Sequence, residues 1–142
     1  MTTETIRSAI GMMQRDRASE FLGMIVEVSE PGCAVVSMPV REDMLNGFAI
    51  THGGFVFAVA DTAFAIACNS GDAVTVAAGA DITFLATTTA GDTLTARAES
   101  RSVAGRSGIY DVQVTDQNGA VVAEFRGRSR RTNLPVPPSP TA

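Results

Sequence analysis

One segment of the sequence, Gly53–Asn69, constrains the fold more than any other. Its residues GGFVFAVADTAFAIACN are apolar around the whole circumference of a helix, interrupted by Asp61 and the adjacent Thr62. A helix that is apolar on every face is buried on every face. A single curved sheet around this helix would cover most of the helix surface and leave one strip of it uncovered. Because the alanines of the segment let another helix approach closely, we predict a homodimer with two such helices side by side.

The remaining sequence predicts a helix before this segment and strands on both sides of it. Apolar spacing predicts the N-terminal helix over about residues 4–22, ended by Gly23. Alternation and turn signals predict six strands, over residues 24–29, 33–40, 74–85, 93–103, 110–115 and 121–130. Tight turns between consecutive strands indicate an antiparallel sheet and an α+β fold. We therefore expect one domain over residues 1–131, with a long central helix against about six strands, and a disordered proline-rich tail over 132–142.

Length and charge exclude several classes of function. The 142-residue chain has a net charge of −4, which makes it a poor general binder of nucleic acid. Its longest apolar run, residues 53–68, is short for a membrane span, and the N-terminus shows no signal peptide. One histidine and two separated cysteines provide no metal-ligand set and no disulfide scaffold, so we expect a cytoplasmic protein without a metal.

Asp61 is the first candidate for a functional residue. A carboxylate inside an apolar helix is costly unless it has partners, and its pKa tends to rise. Costs of this kind are commonly associated with functional sites. The alternatives are an aspartate satisfied by backbone or threonine hydroxyl groups, or one at an exposed helix edge.

The second candidate is His52-Gly53-Gly54, at the start of the same helix. Two glycines let the backbone approach a ligand, and the N–H groups at a helix start suit a developing oxyanion. The alternatives are a loop that needs positive φ for its glycines and a histidine at a plain surface position. Asn46 precedes Gly47, and on its own it indicates a turn.

The separation of the two candidates supports the predicted dimer. Gly53 and Asp61 are eight residues apart, or about 12 Å along one helix axis. A reacting carbonyl must lie within roughly 3 Å of both the oxyanion donor and the attacking group. Two antiparallel helices of a C₂ dimer bring the glycine of one chain to the aspartate of the other, which predicts two equivalent shared sites.

Several motifs together resemble the hot-dog-fold acyl-CoA thioesterases, and among them the phenylacetic-acid-degradation branch. They are LNGFAITHGGFVFAVADTAFAIACNS, AGADITFLATTTAGDTLTARA, GIYDVQV and FRGRSRR, within about residues 8–131. The resemblance implies a long helix wrapped by an antiparallel sheet, and a dimer of dimers. It also implies hydrolysis of phenylacetyl-CoA and its ring-hydroxylated relatives, with no cofactor because coenzyme A is part of the substrate.

The resemblance also implies roles for individual residues. Asp61 would be the nucleophile or general base, assisted by Thr62. Gly53 would donate the oxyanion N–H, with Gly54 beside the substrate and with Asn46 and His52 orienting the thioester and the glycine loop. Some relatives hold the attacking water with a serine on the next strand, but Val76-Ala77-Ala78-Gly79 has no hydroxyl.

The arginines of the last predicted strand have two interpretations. They form either a solvated strand face or a binding site for the phosphates of coenzyme A, with Arg126 and Arg128 as the candidates. Three phenylalanines have two interpretations as well, since they either line an acyl pocket or belong to the core: Phe48, Phe57 and Phe64.

Two other functions compete with thioester hydrolysis. A hot-dog hydratase or dehydratase acting on enoyl-CoA would use His52 and Asp61 on either side of one carbon. A non-catalytic acyl-CoA-binding module would have no need for a costly buried Asp61.

Overall fold

The computed structural model describes residues 3–69, 71 and 73–137. The helices are α1 (Thr3–Arg15), α2 (Arg17–Phe21) and α3 (Gly53–Cys68), with a short 3₁₀ helix over Glu42–Met44. The strands are β1 (Ile25–Glu30), β2 (Cys33–Pro39), β3 (Ala73–Phe84), β4 (Thr93–Ala104), β5 (Ser107–Thr115) and β6 (Val121–Pro135). The strands form one antiparallel sheet in the order β1-β2-β4-β5-β6-β3. The α+β prediction of a six-stranded antiparallel sheet against one long helix is confirmed.

The core lies between α3 and the inner face of the sheet. Strand β5 shows the alternation expected of a sheet with one covered face, because Tyr110, Val112 and Val114 are buried between more exposed neighbours. Gly127 of β6 allows the closest approach of the helix, since a Cβ there would lie 2.7 Å from the ring of Phe64. A larger residue at this position would push α3 away from the sheet.

The N-terminal region corrects one prediction. Instead of one helix over 4–22, the structure has α1 and α2, separated at Asp16. The Asp16 side chain accepts the Ser19 backbone N–H at 2.9 Å and so caps α2. A short acidic side chain that bonds to nearby backbone N–H groups favours a helix start over a helix interior. Gly23, with φ of 71°, ends the region as predicted.

The C-terminal prediction is also corrected. Strand β6 continues to Pro135, so the tail does not begin at residue 132. These last strand residues pair with β3, where Ala73 lies opposite Pro135 and Thr132 Oγ1 donates to the Val74 carbonyl at 2.6 Å. Edge pairing of this kind orders a segment that has almost no apolar core residues of its own. Residues 138–142 of the predicted tail lie outside the described residues.

Two features of the fold bear on location. No described helix is long and apolar enough to cross a membrane. Cys33 and Cys68 are both free thiols. The cytoplasmic location predicted from the sequence stays a prediction.

The sheet leaves one strip of α3 uncovered, as the sequence predicted. The strip consists of positions one helical turn apart that keep some exposure: Gly54, Ala58, Asp61 and Ala65. Beside the helix, β3 forms one edge of the sheet, and its twelve residues carry a single charge, on Asp81. Apart from Asp61 and Asp81 both surfaces are apolar, and none of the elements described above covers them.

Candidate active site

The start of α3 presents a backbone donor. His52 caps the helix, with its Nδ1 accepting the Gly54 N–H at 3.0 Å, and the His52 N–H donates to the Met44 carbonyl at 2.8 Å. The Gly53 N–H has no acceptor among the described residues. Because it lies at the positive end of the helix dipole, this N–H is suited to a negatively charged oxygen.

The loop before α3 is held by Asn46. Its Oδ1 accepts the N–H groups of Phe48 at 2.9 Å and Ile50 at 3.4 Å, so the side chain fixes a turn, as the Asn-Gly pair predicts. The loop is tied to the connection between β3 and β4, where the buried Thr51 bonds to Thr88 through both backbone and hydroxyl groups. Asn46 therefore positions the segment that ends in His52, Gly53 and Gly54. Its direct contact with a substrate stays a prediction.

Asp61 is half-buried on the uncovered strip and has no hydrogen-bond or ion-pair partner among the described residues. Burial raises the pKa of the Asp61 carboxyl, and the negative charge of Asp16 raises it further. This carboxylate is therefore not the internally satisfied aspartate that the sequence left open. A group with these properties is a candidate base or nucleophile.

Thr62 follows Asp61, but its hydroxyl contacts a different group. Thr62 is buried, and its Oγ1 lies 3.0 Å from Ser19 Oγ on α2. The Ser19 hydroxyl in turn donates to Asp16 Oδ2 at 2.7 Å. The predicted helper of Asp61 is thus held by a buried polar network that the sequence analysis did not anticipate.

A single chain does not bring the two halves of the site together. Gly53 is the first residue of α3 and Asp61 lies two turns further along the helix, about 12 Å away along its axis. The sequence argument for a site shared between two chains therefore applies to the structure as well.

Arg126 and Arg128 lie on the outer face of the sheet, away from α3. Arg126 forms a bidentate ion pair with Asp111, in which Nε donates to Oδ1 at 2.7 Å and Nη2 donates to Oδ2 at 3.1 Å. Arg128 Nη1 donates to Asp81 at 3.1 Å. Within one chain the structure does not bring either arginine to Asp61.

Comparisons with known proteins decide the family. A family model for the thioesterase superfamily matches residues 48–123. The chain belongs to the thioesterase superfamily. It is 42% identical over 131 residues to the acyl-coenzyme A thioesterase PaaI of Escherichia coli (strain K12), which covers 92% of this chain and 94% of that relative.

Solved structures agree with this assignment. The E. coli PaaI protein from the phenylacetic acid degradation operon matches with a TM-score of 0.91 and 40% identity, over 94% of this chain and 97% of that one. A mutant of the phenylacetic acid degradation protein PaaI from Thermus thermophilus matches with a TM-score of 0.78 and 38% identity, over 82% and 100% of the two chains. The predicted hot-dog fold is confirmed, and this thioesterase-superfamily chain is a thioester hydrolase.

The phenylalanines mostly belong to the core. Phe64 is fully buried against Tyr110 and Phe125, Phe57 packs edge-to-face on Phe125, and Phe48 is 87% exposed in the loop. The interpretation of Phe64 as pocket lining is therefore wrong.

Cys68 does not compete with Asp61 as a nucleophile. Burial raises the pKa of the Cys68 thiol to about 12, which keeps the thiol protonated.

Sequence analysis missed a cavity that begins one helical turn beyond Asp61. The cavity of about 320 Å³ has mostly apolar walls from α1, α3, β3 and the end of the described chain, with three polar residues among them. It is lined by Met12, Arg15, Ala65, Asn69, Val74, Thr75, Val136 and Pro137. Ala65 lies one helical turn beyond Asp61 on the uncovered strip. The small size of Ala65 was a signal in the sequence, but its partners are far away along the chain.

Proposed function

We propose that this thioester hydrolase acts on acyl-CoA thioesters with an apolar acyl group, of which phenylacetyl-CoA and its ring-hydroxylated relatives are the leading candidates. The observation that carries the proposal is the half-buried Asp61, which has no hydrogen-bond or ion-pair partner within residues 3–69, 71 and 73–137, on the helix whose first residue, Gly53, has a backbone N–H without an acceptor in the same part of the chain. The similarity to an E. coli acyl-coenzyme A thioesterase supports the substrate class. We also propose a cytoplasmic location, since the free thiols of Cys33 and Cys68 fit a reducing compartment.

We infer that the active form is a homodimer with two shared sites. The uncovered strip of α3 and the long, nearly uncharged β3 edge are the surfaces that a second copy of the chain would cover. An antiparallel pair of α3 helices would set Gly53 of one chain against Asp61 of the other. A further pairing of dimers into a tetramer is part of the proposal, on the basis of the family resemblance.

The chemistry follows from these groups. The thioester carbonyl oxygen accepts the Gly53 N–H, which the dipole of α3 strengthens as negative charge develops on that oxygen. Asp61 from the other chain attacks the carbonyl carbon or takes a proton from an attacking water. Thiolate is a good leaving group, so the reaction needs no strong general acid.

Coenzyme A brings phosphates, and the outer arginines are the proposed partners for them. A phosphate on Arg128 would replace one contact with the exposed Asp81, whereas a phosphate on Arg126 would replace a two-point pair with Asp111. The proposed contact therefore favours Arg128 over Arg126.

We place the acyl group in the mostly apolar cavity that begins at Ala65, one helical turn beyond Asp61. An acyl chain that starts at the carbonyl near Asp61 reaches the cavity where Ala65 lines it, one turn further along α3. Apolar walls discriminate between acyl groups by the surface that each buries.

The function is tested by measuring released CoA with a thiol reagent over a panel of acetyl-, benzoyl- and phenylacetyl-CoA. We expect the highest kcat/KM for phenylacetyl-CoA. Ala65→Leu and Val136→Phe, which narrow the cavity from different walls, are expected to lower kcat/KM for phenylacetyl-CoA by about tenfold or more relative to acetyl-CoA. Ala120→Phe on the exposed β5–β6 turn is the matched control.

Equal losses for acetyl- and phenylacetyl-CoA would show that the cavity does not hold the acyl group. Size-exclusion chromatography of each variant separates this outcome from loss of the dimer. A wild-type chain that releases CoA from no member of the panel would contradict the proposed substrate class.

A further inference from the structure

A chain of three side chains, with Ser19 and Thr62 buried and Asp16 partly exposed, links α2 to the residue after Asp61. Asp16 uses both carboxylate oxygens on Ser19, with Oδ1 accepting the backbone N–H at 2.9 Å and Oδ2 accepting the hydroxyl at 2.7 Å. Ser19 Oγ lies 3.0 Å from Thr62 Oγ1. Ser19 and Thr62 are 3% and 8% exposed, so bulk solvent does not compete strongly for the bond between their two hydroxyl groups. We call this set the Asp16 relay.

Counting hydrogens fixes the direction of every bond in the Asp16 relay. A serine hydroxyl has one hydrogen, and the short bond to the acceptor-only carboxylate of Asp16 uses it. Ser19 Oγ can then take part in the next bond only as the acceptor. The hydrogen between Ser19 and Thr62 must therefore come from Thr62, which leaves the Thr62 oxygen with lone pairs alone.

We propose that Asp16 and Ser19 are positioning residues that fix the Thr62 hydroxyl as a hydrogen-bond acceptor for the attacking water. This inference rests on the proposed function. A water that donates one hydrogen to Asp61 and the other to Thr62 keeps both of its lone pairs free, and its orientation toward the thioester carbonyl carbon is fixed by two bonds. A Thr62 hydroxyl that donated to the water instead would engage one lone pair, leave the second hydrogen of the water without its acceptor, and turn the remaining lone pair away from the favoured direction.

The location of the Asp16 relay supports this role. Thr62, the last residue of the relay, is the chain neighbour of Asp61, and the charge of Asp16 acts on Asp61 because it contributes to the raised pKa of that carboxyl. Thr62 is the hydroxyl adjacent to Asp61 on α3, and the segment Val76–Gly79 of β3 has none to offer. The arrangement favours activation of water over direct attack by Asp61.

Atoms and electrons balance in the proposed step. The water oxygen bonds to the carbonyl carbon while Asp61 takes one proton, and negative charge passes to the carbonyl oxygen at the Gly53 N–H. The electron pair on that oxygen then re-forms the C=O double bond as the C–S bond breaks, and the CoA thiolate leaves with the C–S bonding pair. The thiolate takes up the proton held by Asp61, and the carboxylic acid product releases its own proton to solvent.

The test is Asp16→Asn, which inverts the relay without changing its shape. Because the Ser19 N–H needs an acceptor, the amide oxygen takes the Oδ1 place and the amide nitrogen takes the Oδ2 place. The amide then donates to Ser19, whose hydroxyl turns to Thr62, and the Thr62 hydrogen is released toward the water. Asparagine is as good a helix cap as aspartate. We expect kcat to fall about 10- to 100-fold with KM unchanged.

Two further measurements distinguish positioning from a merely structural role. In a Thr62→Val background, Asp16→Asn should cause no further loss of kcat, because the acceptor is already absent. Glu99→Gln, which removes one exposed carboxylate charge on β4, should leave kcat unchanged. All values of kcat are taken at a pH above the acid limb of the profile, so the charge effect of Asp16 on the pKa of Asp61 does not contribute.

Wild-type kcat in Asp16→Asn, or an equal loss in the Thr62→Val background, would overturn the inference. If Asp16→Asn does not fold, Ser19→Ala makes the same comparison by breaking the relay at its centre. A wild-type chain that releases no CoA overturns the proposed function itself, whereas an active wild type with an unaffected Asp16→Asn overturns the relay alone.

Discussion

Asp61→Asn is expected to lower kcat for CoA thioesters by about 10³-fold or more, while substrate still binds. Asparagine keeps the shape of the side chain but neither takes a proton nor attacks a carbonyl. The effect is measured as single-turnover release of CoA, with the dissociation constant of CoA determined separately. Asp43→Asn makes the same change at an exposed surface position and should have no such effect.

The same substitution is expected to stabilise the fold at neutral pH. The folded state raises the pKa of Asp61, mainly through burial. The folded state then binds a proton more tightly than the unfolded one, so stability present below the unfolded pKa of about 3.9 is lost as the pH rises through the folded pKa. Asp61→Asn should therefore raise the Tm at pH 7. Near-normal turnover would show that Asp61 is neither the base nor the nucleophile, and a lowered Tm would show that its charge is not costly to the fold.

The second large effect is expected from Gly53→Pro, which removes the backbone N–H assigned to the oxyanion. Proline suits this place, because Gly53 is the first residue of α3 and the preceding His52 has an extended backbone, with φ of −60° and ψ of 132°. We expect kcat to fall about 10²- to 10³-fold while the helix is retained, measured by turnover and circular dichroism.

Gly53→Ala is the matched control for this prediction. It keeps the N–H and adds the same Cβ, which would lie 3.0 Å from the end of the half-exposed Phe84 ring. If Gly53→Ala loses as much activity as Gly53→Pro, crowding by the Cβ explains the loss, and the N–H is not the oxyanion donor.

The parts of the fold that the sequence predicts well are those with a strong local pattern. The helix α3 is predicted within one residue, because an apolar run of this length between Gly53 and Asn69 has few other ways to be buried. The break at Asp16 was missed, since the apolar spacing of the N-terminal region continues across it. The added strand residues up to Pro135 depend on an edge of β3 that is distant in sequence.

The candidate site shows the same division. Asp61 and Gly53 stand out because a carboxylate and a glycine pair are unusual on an apolar helix. The bond between Ser19 and Thr62 spans 43 residues, so no local pattern predicts it. The pairing of Arg126 with Asp111 likewise depends on the register of β5 against β6. The donor and acceptor of each hydrogen bond in the Asp16 relay can be assigned only once the folded structure shows which groups are partners.

The central claim, a site built from two chains, is tested most directly by combining two inactive variants. Chains carrying Asp61→Asn and chains carrying Gly53→Pro are expressed together with different affinity tags, and mixed dimers are isolated through both tags. Each mixed dimer should contain one intact pair, with Gly53 from the first chain and Asp61 from the second. We expect about half of the wild-type turnover per dimer. Mixed dimers as inactive as their parents would contradict the shared site.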